Sequence, residues 1–157
     1  ATQYLPEDYH VVIGGTGPLK EELERKIKSL NLDDKVSLIG FIPDEDLSSW
    51  YRASDLFCLS SIWKTEAFAI VQIEAMSCCK PIVATRIPES GVSWVNEHSV
   101  SGLNVKPEDG KALAESILAI TSNPKTYETY SKNARLRFEN NFCYSTMIKK
   151  FLSFCRI

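Results

Sequence analysis

Lys64-Thr65-Glu66-Ala67-Phe68-Ala69-Ile70-Val71-Gln72-Ile73-Glu74-Ala75-Met76 is the stretch on which the rest of the chain turns. From Ala67 to Met76 every residue is apolar except Gln72 and Glu74. An apolar run of this length, with Ala, Phe and Met in it and a turn-like entry, predicts a helix packed on both sides, without a wet face. Thr65 is the expected N-cap, which puts Glu66 in the first turn, where the helix dipole favours a carboxylate.

A helix start leaves free N–H groups, here those of Ala67, Phe68 and Ala69, and small Ala67 and Ala69 leave room for an anion to approach them. Glu74 is costly inside an apolar helix unless something pairs with it, and neither Ile70, Val71, Ser77 nor Cys78 supplies a positive charge at helical spacing. With both carboxylates on one helix they would stand roughly 12 Å apart along its axis. A nucleoside diphosphate sugar has that layout, with a sugar, a diphosphate and a ribose diol in line. Each carboxylate taken singly has a plainer reading: Glu66 as a dipole-compensating first-turn residue, Glu74 as half of an ion pair with a cation elsewhere in the fold.

Outward from this stretch, strand and helix patterns alternate. Tyr9–Gly14 reads as a buried strand, and Gly14, Gly15 and Gly17 with Pro18 as the turn after it, without the spacing of a dinucleotide fingerprint or a P-loop. Leu19, Leu23, Ile27 and Leu30 make the buried stripe of a surface helix. Val36–Ile39 is a second strand and Pro43 opens a helix through Ala53. Strands follow over Asp55–Leu59, Pro81–Thr85 and Leu103–Val105, with an irregular segment from Arg86 to Asn96. Three helices close the chain, marked by Leu113 and Ile117, by Tyr127 to Phe138, and by Met147 to Leu152. The order predicts an α/β fold, a Rossmann-like parallel sheet with helices on both faces and a C-terminal helical segment, whose ligands bind at the carboxyl ends of the strands.

At 157 residues the chain has the size of one domain with a proper core, and its net charge of −2 lacks the basic footprint of a nucleic-acid binder. No apolar run is long enough to span a bilayer, and the N-terminus does not read as a signal peptide. Five cysteines without a CxxC pair, and only His10 and His98, argue for reduced thiols, a cytoplasmic setting and no zinc site.

Glu66 and Glu74 with seven residues between them, followed by Lys80-Pro81-Ile82-Val83-Ala84-Thr85, resemble the donor-site signature of retaining group-1 (GT4-type) glycosyltransferases of the GT-B fold. Gly14-Gly15-Thr16-Gly17-Pro18, Val36–Phe41, Ala53–Phe57 and Ser101-Gly102-Leu103-Asn104-Val105 extend the likeness over nearly the whole chain. The resemblance implies that residues 1–157 are the nucleotide-sugar-binding, C-terminal half of a two-domain enzyme. It implies a catalytic Glu66 on the donor-sugar hydroxyls, Glu74 on the ribose, the amides of Phe68, Ala69, Ile70 and Val71 around the diphosphate, and Gly15, Gly17 and Phe41 beside the nucleotide.

The reaction so implied is hexosyl transfer to a glycan or lipid-linked acceptor in surface-polysaccharide or glycolipid assembly, with no cofactor or metal. The full enzyme would be cytoplasmic or peripheral at the inner face of the membrane. The family's first strand, with its diphosphate-binding Arg and Lys, and its N-terminal acceptor domain have no counterpart here, so an open sheet edge and self-association through it are expected. The family often carries Gly where Ala67, Ala69 and Cys79 stand. Two other classes compete: a non-catalytic flavodoxin-like nucleotide-binding module, and a partner-binding domain in which the Glu pair has no ligand role.

Overall fold

The computed structural model describes residues 1–155. A 3-10 turn (Thr2–Tyr4) precedes β1 (Val11–Gly14), α1 (Lys20–Ser29), β2 (Val36–Gly40), α2 (Asp44–Ala53), β3 (Phe57–Leu59) and α3 (Ile70–Ser77). Then come β4 (Ile82–Thr85), α4 (Val92–Val95), β5 (Gly102–Val105), α5 (Gly110–Thr121) and α6 (Pro124–Arg137); a π turn (Phe138–Phe142) leads into α7 (Tyr144–Cys155). Every strand pair is parallel, which makes this the α/β architecture that the alternation predicts.

β4 is the centre. All four of its residues are buried, because alternate side chains feed opposite layers. Ile82 and Ala84 join Ala75 and Met76 of α3 and Val92 and Val95 of α4, while Val83 joins Leu113, Ala114, Ile117 and Ile120 of α5. The later helices form where sequence rules place them. Asn123 accepts from the amides of Lys125 and Thr126 ahead of α6, with Pro124 at its start, and Asp109 accepts from Ala112 at the head of α5. α7 lies against the π turn through polar contacts, Thr146 donating to the Glu139 carbonyl at 2.7 Å and Lys150 to that of Asn140 at 3.0 Å. No described helix is long and apolar enough to cross a membrane.

Several expectations are corrected. The strands form two sheets, β1–β2 and β3–β4–β5, instead of one. β1 is not buried: Val12 and Ile13 are exposed, since β2 is the strand paired with it and α1 covers the pair lightly. The α1 stripe is accordingly half-buried at Leu23, Ile27 and Leu30, and Leu19 is exposed. The segment after β4 contains the single helical turn α4.

The largest correction concerns the opening stretch. α3 begins at Ile70, five residues beyond Thr65, with Ala69 as its N-cap in the left-handed region at φ 61°. The carbonyls of Glu66 and Ala67, which a helix would offer to later amides, are taken by Ser90 and Gly91. Glu66 is therefore in a loop, and the axial separation of the two carboxylates does not apply. Nor is α3 dry all round: Gln72, Ala75 and Met76 are buried, whereas Ile70 is 64% exposed and Glu74 half-buried.

Candidate functional site

The carboxyl ends of the strands carry the glycine turns and the Glu66 loop. At the end of β1 the Gly15 amide donates to the Gly40 carbonyl at the end of β2 (2.6 Å). Gly15 at φ 129° and Gly40 at φ 71° hold conformations that side chains disfavour. Gly14 is bare for packing: a Cβ there would sit 2.5 Å from Ile42 Cδ1. Gly15 and Gly17 face open space, and Phe41 is 72% exposed at the same edge.

After β3 the chain is pinned from the neighbouring strand, where Thr85 Oγ1 donates to the Ser61 carbonyl. A turn closes from the Glu66 amide to the Trp63 carbonyl at 3.0 Å. The Ser90 hydroxyl donates to the Glu66 carbonyl at 2.5 Å and the Gly91 amide to that of Ala67 at 2.7 Å. Ala69 then turns the backbone through positive φ into α3, so that Ile70 and Val71 stand at a helix start. The structure thus places Phe68, Ala69, Ile70 and Val71 together where loop meets helix, with Phe68 and Ile70 exposed and Ala69 buried.

Glu74 lies one turn further on and faces α2. The Tyr51 hydroxyl donates to Glu74 Oε2 at 2.9 Å, so the partner that the sequence demanded is a neutral phenol and not a cation. Burial, reinforced by the carboxylate, pushes the Tyr51 hydroxyl well above its ordinary range. The pair opens into a cavity of about 360 Å³, lined also by Asp44, Leu47, Ser48, Ser77 and Cys78. Glu66 does not line it. A carboxylate held by one oxygen at the wall of such a cavity can accept hydrogen bonds from a diol through the other.

Tyr51, Ser90 and Gly91 escaped the sequence reading. Tyr51 is not singled out in the helix that Pro43 opens, although the hydroxyl of a buried Tyr usually finds a hydrogen-bond partner. All five thiols are free, and among the described residues no group of three His, Cys, Asp or Glu is placed to hold a metal.

Comparison with known proteins gives the family. The profile of Glycosyl transferases group 1 matches residues 2–137. An O-antigen chain mannosyltransferase C of Escherichia coli is 32% identical over 143 residues, which is 91% of this chain and 38% of that protein. The crystal structure of Anabaena HepE in complex with UDP-glucose superposes with a TM-score of 0.82 at 27% identity, covering 95% of this chain and 42% of that one. The C-terminal domain of a glycosyl transferase group 1 family protein (LpcC) from Francisella tularensis shares the fold, with a TM-score of 0.73 at 21% identity and 90% of both chains covered.

The fold is that of the C-terminal domains of GT-B glycosyltransferases. The chain belongs to the group 1 glycosyltransferase family. It spans about two fifths of the length of the E. coli mannosyltransferase and of HepE.

Proposed function

We propose that this chain binds the nucleotide sugar for a retaining hexosyl transfer to a glycan or lipid-linked acceptor in surface-polysaccharide or glycolipid biosynthesis. The observation that carries the reading is Glu74, tethered by Tyr51 at the wall of a cavity and one turn from the start of α3. In this reading Glu74 accepts the ribose hydroxyls and the amides of Phe68, Ala69, Ile70 and Val71 surround the diphosphate. Glu66 holds the sugar hydroxyls for transfer, and Gly15, Gly17 and Phe41 border the nucleotide. HepE bound to UDP-glucose and the E. coli mannosyltransferase support a sugar nucleotide as the ligand class. No metal is required, because backbone amides supply the donors to the phosphates.

The acceptor domain is proposed to come from the rest of a longer protein, and the whole enzyme to work in the cytoplasm at the inner membrane face. The chain alone is then expected to fold, to bind donor weakly at about millimolar concentration, and to transfer nothing, since it does not by itself position an acceptor. Its exposed β1 offers an edge for self-association. Titration of UDP-, GDP- and ADP-sugars followed by NMR tests the reading. Shifts at Gly15, Gly17, Phe41, Tyr51 and over the Glu66–Glu74 stretch, unchanged by a chelator, are expected. No shift with any nucleotide at millimolar concentration would favour a partner-binding domain instead.

A further inference from the structure

The segment between β4 and α4 does no chemistry in the reading above, yet it grips the loop that carries Glu66 at two successive carbonyls. Ser90 Oγ donates to the Glu66 carbonyl at 2.5 Å and itself accepts from the Val92 amide at 3.2 Å, so the hydroxyl is fixed from both sides. Gly91 donates its amide to the Ala67 carbonyl at 2.7 Å, an approach that only glycine permits. A Cβ on Gly91 would stand 2.9 Å from that oxygen and 3.1 Å from Phe68 Cδ2.

The grip is braced from behind. The Trp94 ring lies 5.8 Å from Phe68 and 5.4 Å from Phe142. Arg137, at the end of α6, donates to the Trp94 and Val95 carbonyls at the end of α4, pairs with Glu97, and lies over the rings of Trp94 and Phe142. A guanidinium on the last carbonyls of a helix both satisfies them and opposes its dipole. Arg137 thus anchors the turn that presents Ser90 and Gly91. The loop needs such an anchor because its own sequence prefers helix from Thr65 onward. Left alone it would wind up, move Glu66 and spend the amides of Ile70 and Val71 on internal hydrogen bonds.

We propose that Ser90 and Gly91, braced by Arg137, are positioning residues that keep the Glu66–Ala69 loop unwound, so that Glu66 and the α3 amides meet the sugar-diphosphate part of the donor together. This rests on the donor-binding reading. It adds that affinity for the sugar diphosphate, but not for the nucleoside held at Glu74, depends on a segment of the chain that touches no ligand.

Ser90→Ala removes one grip without adding bulk, Ser90→Thr restores the hydroxyl, and Gly91→Ala pushes the loop. Two measurements on the full chain decide. The first is amide hydrogen exchange of the ligand-free protein. In Ser90→Ala and Gly91→Ala, the amides of 66–71 should change their exchange while those of β4 and α5 do not, and Ser90→Thr should match the wild type. The second is the affinity for UDP-glucose relative to UMP, by NMR titration. It should fall by about fivefold or more in Ser90→Ala, the loss of one hydrogen bond, and recover in Ser90→Thr.

Unchanged loop exchange overturns the proposal, and so does changed exchange with an unchanged UDP-glucose to UMP ratio. An equal loss for both ligands marks a merely structural role and overturns it too. If the wild-type chain binds neither ligand, the donor reading fails separately, and loop exchange alone then decides whether the grip exists.

Discussion

The two ends of α3 carry the same backbone anomaly for different reasons. Ala69 before the helix and Cys79 after it both sit at positive φ, 61° and 62°, where a side chain is strained. At the C-terminal end the strain belongs to a self-contained stop. The Cys79 amide donates to Met76 and that of Lys80 to Ala75, both at 3.0 Å, which is the Schellman pattern for closing a helix. At the N-terminal end nothing local explains it. Ala69 has no side-chain cap to help it, is buried, and follows a loop whose Glu66 and Ala67 carbonyls are held by Ser90 and Gly91, more than twenty residues downstream. One end is a local device for stopping a helix; the other is imposed from a distance, at the place where the proposed diphosphate-binding amides stand. Strain without a local cause points to function.

The sharpest way to break that comparison is to put a β-branched residue at each end. Ala69→Val adds bulk at a buried position of positive φ and is expected to lower stability by about 3 kcal/mol. Cys79→Val, exposed, should cost about 1–2 kcal/mol. Urea unfolding of the two variants checks this, and equal losses would mean that the two ends are alike. Glycine sharpens the comparison in the opposite direction. Cys79→Gly removes the strain at no packing cost and should stabilise by about 1 kcal/mol. Ala69→Gly should gain less, because the buried methyl group is lost with the strain. Larger stabilisation at 69 than at 79 would contradict the account.

A smaller effect concerns the Tyr51–Glu74 contact. The Tyr51 hydroxyl keeps its proton in the folded protein to a higher pH than in the unfolded chain, because burial and the Glu74 carboxylate disfavour the phenolate. Its contribution to stability is therefore complete below about pH 10 and is lost as pH rises through the folded value. Tyr51→Phe should reduce the alkaline fall in the urea midpoint above about pH 10. Parallel curves for variant and wild type would contradict the burial of this hydroxyl.

The smallest effect lies away from the site. Hydrogen bonding with the Ser145 and Thr146 side chains, then with the Thr146 amide, draws the Cys143 thiol down to about 7. The thiol lies 3.3 Å from the Ser145 hydroxyl and 3.1 Å from that of Thr146. Cys143 is expected to react with iodoacetamide at neutral pH ahead of exposed Cys79, a difference read by peptide mass mapping.

What the sequence conveyed depended on how local the cause was. The caps of α5 and α6 follow from Asp109, Asn123 and Pro124 beside their own helices, and both helices lie where their apolar spacing puts them. The alternation of strands and helices was equally plain, and so was Glu74's need of a partner. The start of α3 was not, because the carbonyls that would propagate the helix back to Thr65 are taken by residues beyond β4. The exposure of β1 was also hidden. Its apolar residues read as core, yet whether a strand is covered depends on its neighbours and not on its own pattern. Tyr51 became part of the site only once α2 lay beside α3.

Glu74→Gln tests the central claim, that this carboxylate is held by Tyr51 in order to accept a ligand diol. The glutamine oxygen can still accept from Tyr51, so the urea midpoint of the ligand-free variant should stay close to that of the wild type. Nucleotide affinity should fall by about 1.5–3 kcal/mol, the cost of losing charge-assisted hydrogen bonds. A sharp loss of stability without ligand, together with unchanged nucleotide affinity, would contradict the account and make Glu74 a structural residue.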